Sequence, residues 1–179
     1  CIRVVYLPNH GIAARTILLL TFTNKADREM RQRVEELVPY DTHEIWGGTF
    51  HSIGNKILRR HATELGWERS FSIMDREDQK ELMGAVIGES EFDTKATRFP
   101  KPDVLLDIFS LATNTGAEIE DILHCRYSYF HHLAEPILAL REDYETKKKQ
   151  TNSMDFDDLL EKTLRLFEEN PTILDHYQR

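Results

Sequence analysis

Apolar and polar positions follow two rhythms along this chain. Near the start, Ile17-Leu-Leu-Leu-Thr-Phe22 is a short apolar run that ends in polar residues. It predicts a buried strand of the parallel type. Ala26, Met30, Val34 and Leu37 then recur at helical spacing, which predicts an amphipathic helix. Asn24 is placed to cap it, Asp27 falls at its third position, and Pro39 stops it. Ile45-Trp-Gly-Gly-Thr-Phe50 is a second strand candidate, weakened by its glycines. Ser52 to about Leu65 reads as a helix with Ile53, Ile57 and Leu58 inward, closed near Gly66. Strand, helix, strand, helix is the order of a parallel α/β layer, though two strands are few for a stable sheet.

From about residue 67 the rhythm is helical. Leu82, Met83, Val86 and Ile87 share one face, and Val104, Leu105, Ile108, Phe109 and Ala112 share another after the Pro100-Lys-Pro102 break. Ile119, Ile122 and Leu123 mark a short third helix. Phe130, Leu133, Ala134, Ile137, Leu138 and Tyr144 mark a long fourth that runs to the Lys147–Lys149 cluster. Pro136 falls inside it and predicts a kink or a late start. Asn152-Ser153 is read as the cap of a fifth helix, with Phe156, Leu159, Leu160, Leu164 and Phe167 inward, and Asn170-Pro171 ends it before a last helix. The expected fold class is mainly α with a small α/β part. No internal repeat or low-complexity segment is visible.

Composition narrows the class. At 40% hydrophobic and 30% charged, the 179 residues suit one domain or two small ones with a real core. No apolar run approaches the roughly 18 residues of a membrane span, and no secretory leader is recognisable. Cys1 and Cys125 form neither a CxxC motif nor a disulfide framework, so a reducing, cytoplasmic setting is expected. A first residue that is Cys rather than Met points to processing or an excised segment. The net charge of −8 argues against nucleic acid when taken alone. Its distribution matters more: residues 154–179 hold seven acids against three bases, whereas 51–61 hold Lys56, Arg59 and Arg60 and no acid. A basic face on an acidic molecule and scattered solvated charge both fit these counts.

Three places carry candidate chemistry. Thr21-Phe-Thr-Asn-Lys25 lies where a strand meets a helix start, the ligand edge of a parallel sheet. Free N–H groups there attract phosphate, Asn24 and Lys25 add a donor and a charge, and Phe22 can stack on a base. The competing reading makes Phe22 core and the threonines and Asn24 a plain cap. Thr49-Phe-His-Ser52 repeats the arrangement ahead of Lys56, Arg59 and Arg60, and if the strands are neighbours both sites line one groove. A structural histidine is the competing role for His51. Met154-Asp-Phe-Asp-Asp-Leu-Leu160 places three carboxylates at a helix start, which suits capping better than a cation site. His124-Cys125 and His131-His132 lack zinc spacing, so no metal site is expected. No Gly-x-x-x-x-Gly-Lys-Ser/Thr loop and no catalytic constellation appears, so no catalytic residue is assigned.

These residues resemble a family. Ile17 to Val34 resembles motif Ia of superfamily 1 DNA helicases of the UvrD/Rep/PcrA group. Gly48-Thr-Phe-His-Ser-Ile-Gly54, continuing through Arg60, resembles motif Ib. Phe71-Ser-Ile-Met-Asp75 and Met154 to Leu160 match later landmarks in the expected order. The resemblance implies a fragment of a RecA-like P-loop NTPase domain. Residues 1–60 and 153–179 would form part of the motor domain, and 61–152 an inserted helical subdomain beside the DNA. It implies DNA contact by Thr21, Phe22, Asn24, Thr49, Phe50 and His51, to which the charges of Lys25, Lys56, Arg59 and Arg60 beside them add the rest of the expected DNA-binding set. It further implies an ATP-driven 3′-to-5′ parent that acts in repair or replication, with single-stranded DNA, a duplex junction and the remaining helicase domains as partners. ATP and magnesium would be held in the parent, by an ATP loop before Cys1 and an acidic strand after Arg179, and no cofactor is expected in this segment. No ATP hydrolysis is then expected of it alone. Asp27 departs from the small residue common in the family and puts a negative charge near the phosphate site. A non-enzymatic helical interaction module is the alternative.

Overall fold

The computed structural model of the protein describes Val4, Tyr6, Leu7 and residues 11–37, 44–90, 92 and 98–178. Its first layer is β1 (Leu18–Thr21), α1 (Asn24–Glu35), β2 (Trp46–Thr49) and α2 (Phe50–His61). β1 and β2 pair in parallel, with Leu18 opposite Trp46 and Thr21 opposite Thr49. The expected full burial of the first strand does not occur. Burial alternates, with Ile17 and Leu19 inward and Leu18 and Leu20 outward, the period of a strand covered on one face. Val34 closes the small core beneath α1, Ala26 and Met30 are half-buried, and Leu37 is exposed. The stop expected at Pro39 lies outside the described residues. α2 starts two residues earlier than its pattern predicts and ends in a tight turn, Ala62–Leu65, before Gly66 at φ 74°. That left-handed value favours glycine.

Helices α3 (Arg76–Glu89), α4 (Pro102–Thr115), α5 (Ile119–Arg126) and α6 (Ala134–Gln150) follow. They share one core, with Met83, Leu105, Ile108, Leu123, Ile137 and Leu140 at or near zero exposure. Pro102 opens α4 at a position where its missing N–H is not needed. Pro136 resolves as a late start. A short 3-10 segment, Ser128–Leu133, precedes α6, and Pro136 falls in the first turn, where it breaks no hydrogen bond.

This bundle is entered and left through a narrow neck that the sequence pattern did not reveal. β3 (Ser72–Ile73) pairs in parallel with β4 (Ser153–Met154). Their serine hydroxyls meet at 2.8 Å, 81 residues apart in sequence. The Asn152 carbonyl accepts from the Ser72 N–H at 3.0 Å, and its side-chain oxygen accepts from the Glu68 N–H at 3.0 Å. Asn152 therefore follows the end of α6 at φ 49°, a conformation asparagine tolerates, and does not begin the next helix. Asp155 caps α7 (Phe156–Glu169) and exchanges hydrogen bonds with Asp158 in a capping box. Leu159 and Leu166 are the buried apolar residues of α7, Leu160 and Phe167 are half-buried, and Phe156 and Leu164 are exposed, contrary to the inward placement expected for them. α8 (Pro171–Gln178) follows, with Tyr177 stacked on Trp46 at 5.6 Å. No helix among the described residues is long and apolar enough to cross a membrane.

A buried ionic cluster holds the neck. Lys148, only 2% exposed, donates to Asp158 at 2.8 Å, to Asp155 at 3.2 Å and to Glu145 at 2.7 Å. Lys162 reaches the other Asp158 oxygen at 2.8 Å. Burial pushes the Asp158 carboxyl up, but Lys148 and Lys162 outweigh it and hold the group below its usual range. Asp155 has less compensation, and burial raises it. Burial also works against both ammonium groups, and the surrounding carboxylates nevertheless hold them above the ordinary lysine value.

Two outcomes follow from this cluster. Lys148→Met leaves two buried carboxylates short of a counter-charge and is expected to cost about 3–5 kcal/mol in urea denaturation. Asp158 has a lowered value in the folded state, so its contribution is present above about pH 4 and is lost as pH falls through that lowered value. The stability gap between wild type and Asp158→Asn is therefore expected to narrow between pH 7 and pH 3, read by denaturation midpoints at each pH.

Candidate nucleic-acid interface

Parallel pairing puts the carboxyl ends of β1 and β2 on one edge, and α1 and α2 both begin there. The two junctions are built alike. Thr23 caps α1 by accepting the Ala26 N–H at 3.1 Å, and Thr49 caps α2 by accepting the Ser52 N–H at 3.2 Å. The cap of α1 is thus Thr23 rather than Asn24, which becomes the first helical residue. Asn24 and Lys25 lie outward there, and their N–H groups have no partner within the helix, as at any helix start.

Phe22 and Phe50 dominate this edge. Their ring centroids lie 5.2 Å apart, and they are 87% and 40% exposed. A core role for Phe22 is thereby excluded. His51, half-buried beside Phe50, meets the ring of Phe156 at 5.9 Å in an edge-on contact. Phe22 packs on Phe50, and His51, the next residue along α2, packs on Phe156.

The polar residues divide into two groups. Thr21 is buried, and its hydroxyl is directed at the Thr23 carbonyl (3.2 Å) and the Gly48 carbonyl (3.5 Å). It ties the two strand tips together instead of facing outward. Arg59 is also committed inward, with its guanidinium 3.9 Å from the centre of the Phe71 ring and donating to the Arg69 carbonyl at 2.8 Å. Lys25 is exposed and reaches Glu29 only at 4.0 Å. Lys56 and Arg60 are exposed on α2, with Arg60 5.6 Å from the Trp46 ring. The Asp27 carboxylate is held by the Arg31 guanidinium at 3.1 and 3.3 Å, which offsets the charge it would otherwise place near a phosphate.

The acidic helix start does not form a cation site. Asp155 and Asp158 are saturated by the two lysines, and Asp157 accepts from the Asn114 amide at 2.8 Å. Among the described residues no group of three or more His, Cys, Asp or Glu side chains could hold a metal ion. Sequence reasoning missed both lysines: the unbroken Lys147–Lys149 run gives no sign of which member turns inward, and Lys162 gains its partner Glu145 only once α6 lies beside α7. It also missed Phe156 as a surface aromatic, since its helical position matches an inward face.

The site depends on a close approach of two helices. A Cβ built on Gly54 of α2 would stand 2.7 Å from the Leu159 carbonyl oxygen of α7 and 3.0 Å from the Thr163 hydroxyl. Only glycine lets α2 lie this close to α7 and set His51 against Phe156.

Comparison with known proteins places these features in a lineage. A family model described as UvrD/REP helicase N-terminal domain matches residues 2–179. The ATP-dependent DNA helicase PcrA of Bacillus subtilis (strain 168) is 37% identical over 178 residues, covering 99% of this chain and 23% of that protein. Its namesake from Staphylococcus epidermidis (strain ATCC 12228 / FDA PCI 1200) is 36% identical over 177 residues, covering 98% of this chain and 24% of that protein. The one from Staphylococcus aureus (strain NCTC 8325 / PS 47) is 33% identical, covering 98% and 23%. The chain thus spans about a quarter of the length of these relatives.

Gly54→Ala forces α2 off a backbone oxygen that cannot move alone. A loss of about 1–3 kcal/mol in thermal or chemical denaturation is expected, and an unchanged midpoint would remove the close approach as a constraint.

Proposed function

We propose, for a chain that belongs to the UvrD/REP helicase N-terminal domain family, that it is the DNA-contacting segment of an ATP-dependent DNA helicase. The observation that carries this reading is the exposed Phe22–Phe50 pair at the shared carboxyl edge of β1 and β2. An aromatic pair held in water has little structural purpose, and unpaired bases stack on such rings regardless of their sequence. Asn24, Thr49 and the helix-start N–H groups would receive phosphate oxygens. Lys25, Lys56 and Arg60 would supply positive charge along the track. Thr21 and Arg59 act as supports in this reading, since their polar groups already have protein partners.

The segment is read as part of a RecA-like motor domain, residues 1–60 and 153–179, with 61–152 inserted as a helical subdomain. The β3–β4 neck supports an insertion, because both ends of the bundle pass through it. The outward Leu18 and Leu20, together with a sheet of two strands among the described residues, support completion of the layer by other parts of a longer protein. ATP and magnesium are assigned to those parts, as are hydrolysis, 3′-to-5′ movement and contact with the duplex junction. Phosphoryl transfer needs a lysine-bearing phosphate loop, a metal and charge-stabilising arginines in one place. By itself the chain is proposed to bind DNA without turning over ATP, and to work in the cytoplasm in DNA repair or replication.

The reading is tested by titrating the 179-residue chain against a fluorescent single-stranded oligonucleotide. Binding that weakens steeply from 50 to 200 mM salt is expected. Phe22→Ala is expected to weaken it about 5- to 150-fold, the range for loss of one stacked base. Equal affinity for wild type and Phe22→Ala, or no salt-dependent binding, would reject the interface.

A further inference from the structure

We infer that Asp27 limits how tightly this edge holds a nucleic-acid strand: its carboxylate cancels the charge of Arg31 and leaves α2 to supply most of the attraction. The inference rests on the interface reading above and concerns the strength of that site, set by a residue that does not itself touch the strand.

The two helices that begin at the strand tips are alike in their caps and unlike in their charge. α2 carries Lys56, Arg59 and Arg60 and has no acidic residue anywhere along Phe50–His61. α1 holds an acid, Asp27, in its first turn. The bases of α1 are also tied to neighbours. Lys25 faces Glu29 at 4.0 Å, and the Arg28 Nε donates to the Asn24 carbonyl at 3.4 Å. The Arg31 Nε donates to the two Asp27 oxygens at 3.1 and 3.3 Å. Residues 24–31 thus set Lys25, Arg28 and Arg31 against Asp27 and Glu29.

Arg31 is fixed in place. Its guanidinium lies across β2, where a Cβ built on Gly47 would stand 2.8 Å from Nη2. It shares a small recess with Leu19, Val34 and Ile45. The side chains of Asp27 and Arg31 are 18% and 33% exposed, so solvent ions screen this pair less than a pair standing in water. Asp27 lies three residues beyond Asn24, about 4.5 Å along the helix axis. That is well inside the roughly 10 Å over which charges act at 0.1 M salt. Its carboxylate meets the positive end of α1, an attraction that a phosphate at Asn24 and Lys25 would otherwise have to itself. Loss of that carboxylate would leave the Arg31 charge where it is, with nothing to oppose it.

The test compares wild type, Phe22→Ala, Asp27→Asn and Arg31→Gln in the same oligonucleotide titration, from 50 to 200 mM salt, after thermal melts of each. Asp27→Asn is expected to tighten binding about two- to fivefold at 50 mM salt and by less at 200 mM, steepening the fall of log affinity with log salt. Arg31→Gln is expected to weaken binding, because it leaves the Asp27 charge unopposed. Both variants break the same ion pair, so a merely structural role would move them in one direction, and opposite signs identify charge as the cause. If Phe22→Ala weakens binding while Asp27→Asn matches wild type or weakens it too, the inference fails and the interface stands. If Phe22→Ala matches wild type, or no salt-dependent binding is seen, the interface fails and takes the inference with it. Should Asp27→Asn not fold, Asp27→Ser also removes the charge and carries the same expectation and the same rejection.

Discussion

Two ammonium groups and two carboxylates, all out of water, meet where α6 gives way to α7. Ions in such a place are tolerable only together, since removing any one strands its partners. The end of α6 and the start of α7 must therefore arrive at the same point. Their meeting sets β4 beside β3 and fixes the direction in which α7 leaves. α7 then lies along α2, near enough that a Cβ on Gly54 would collide with the Leu159 carbonyl. Through α2 the same constraint reaches Thr49 and the tip of β2. A cluster distant in sequence from the strand tips thus determines how the aromatic edge is held.

That edge shows how one local device, used twice, becomes a surface. A threonine at the end of a strand, or two residues past it, caps the helix that follows, and an aromatic residue adjoins it, before Thr23 and after Thr49. Thr23 with Phe22 and Thr49 with Phe50 are two copies in neighbouring strands. The parallel register brings the copies together, and the Thr21 hydroxyl, directed at the Gly48 carbonyl, locks the tips in phase. Preorganisation of this kind reduces the ordering cost when a flexible strand binds.

Local periodicity made much of this legible. The two strands, the helices and most of the helical core announced themselves through spacing, and the tandem Thr–Phe junctions were visible as strand ends before helices. What sequence could not supply was contact between distant residues. β3 and β4 are two residues long, too short to show alternation, and they exist only because they pair with each other. Lys148 looked like one of three solvated lysines until α7 was placed beside it. Phe156 falls on the apolar repeat of α7 yet sits where no core reaches. The helix caps moved by one to three residues for a simpler reason: Asn24 and Asn152 are good cappers, but Thr23 and Asp155 had the backbone geometry to do it.

The neck between β3 and β4 has a consequence for how such a protein can change over generations. Both ends of the helical excursion emerge side by side, so its length is nearly uncoupled from the framework that carries it. Doubling a flexible closed segment adds only about 0.6 kcal/mol of closure entropy. A bundle rooted this way can be lengthened, trimmed or exchanged as a cassette while Ser72 still finds Ser153. The framework is free to keep its chemistry while the excursion diversifies.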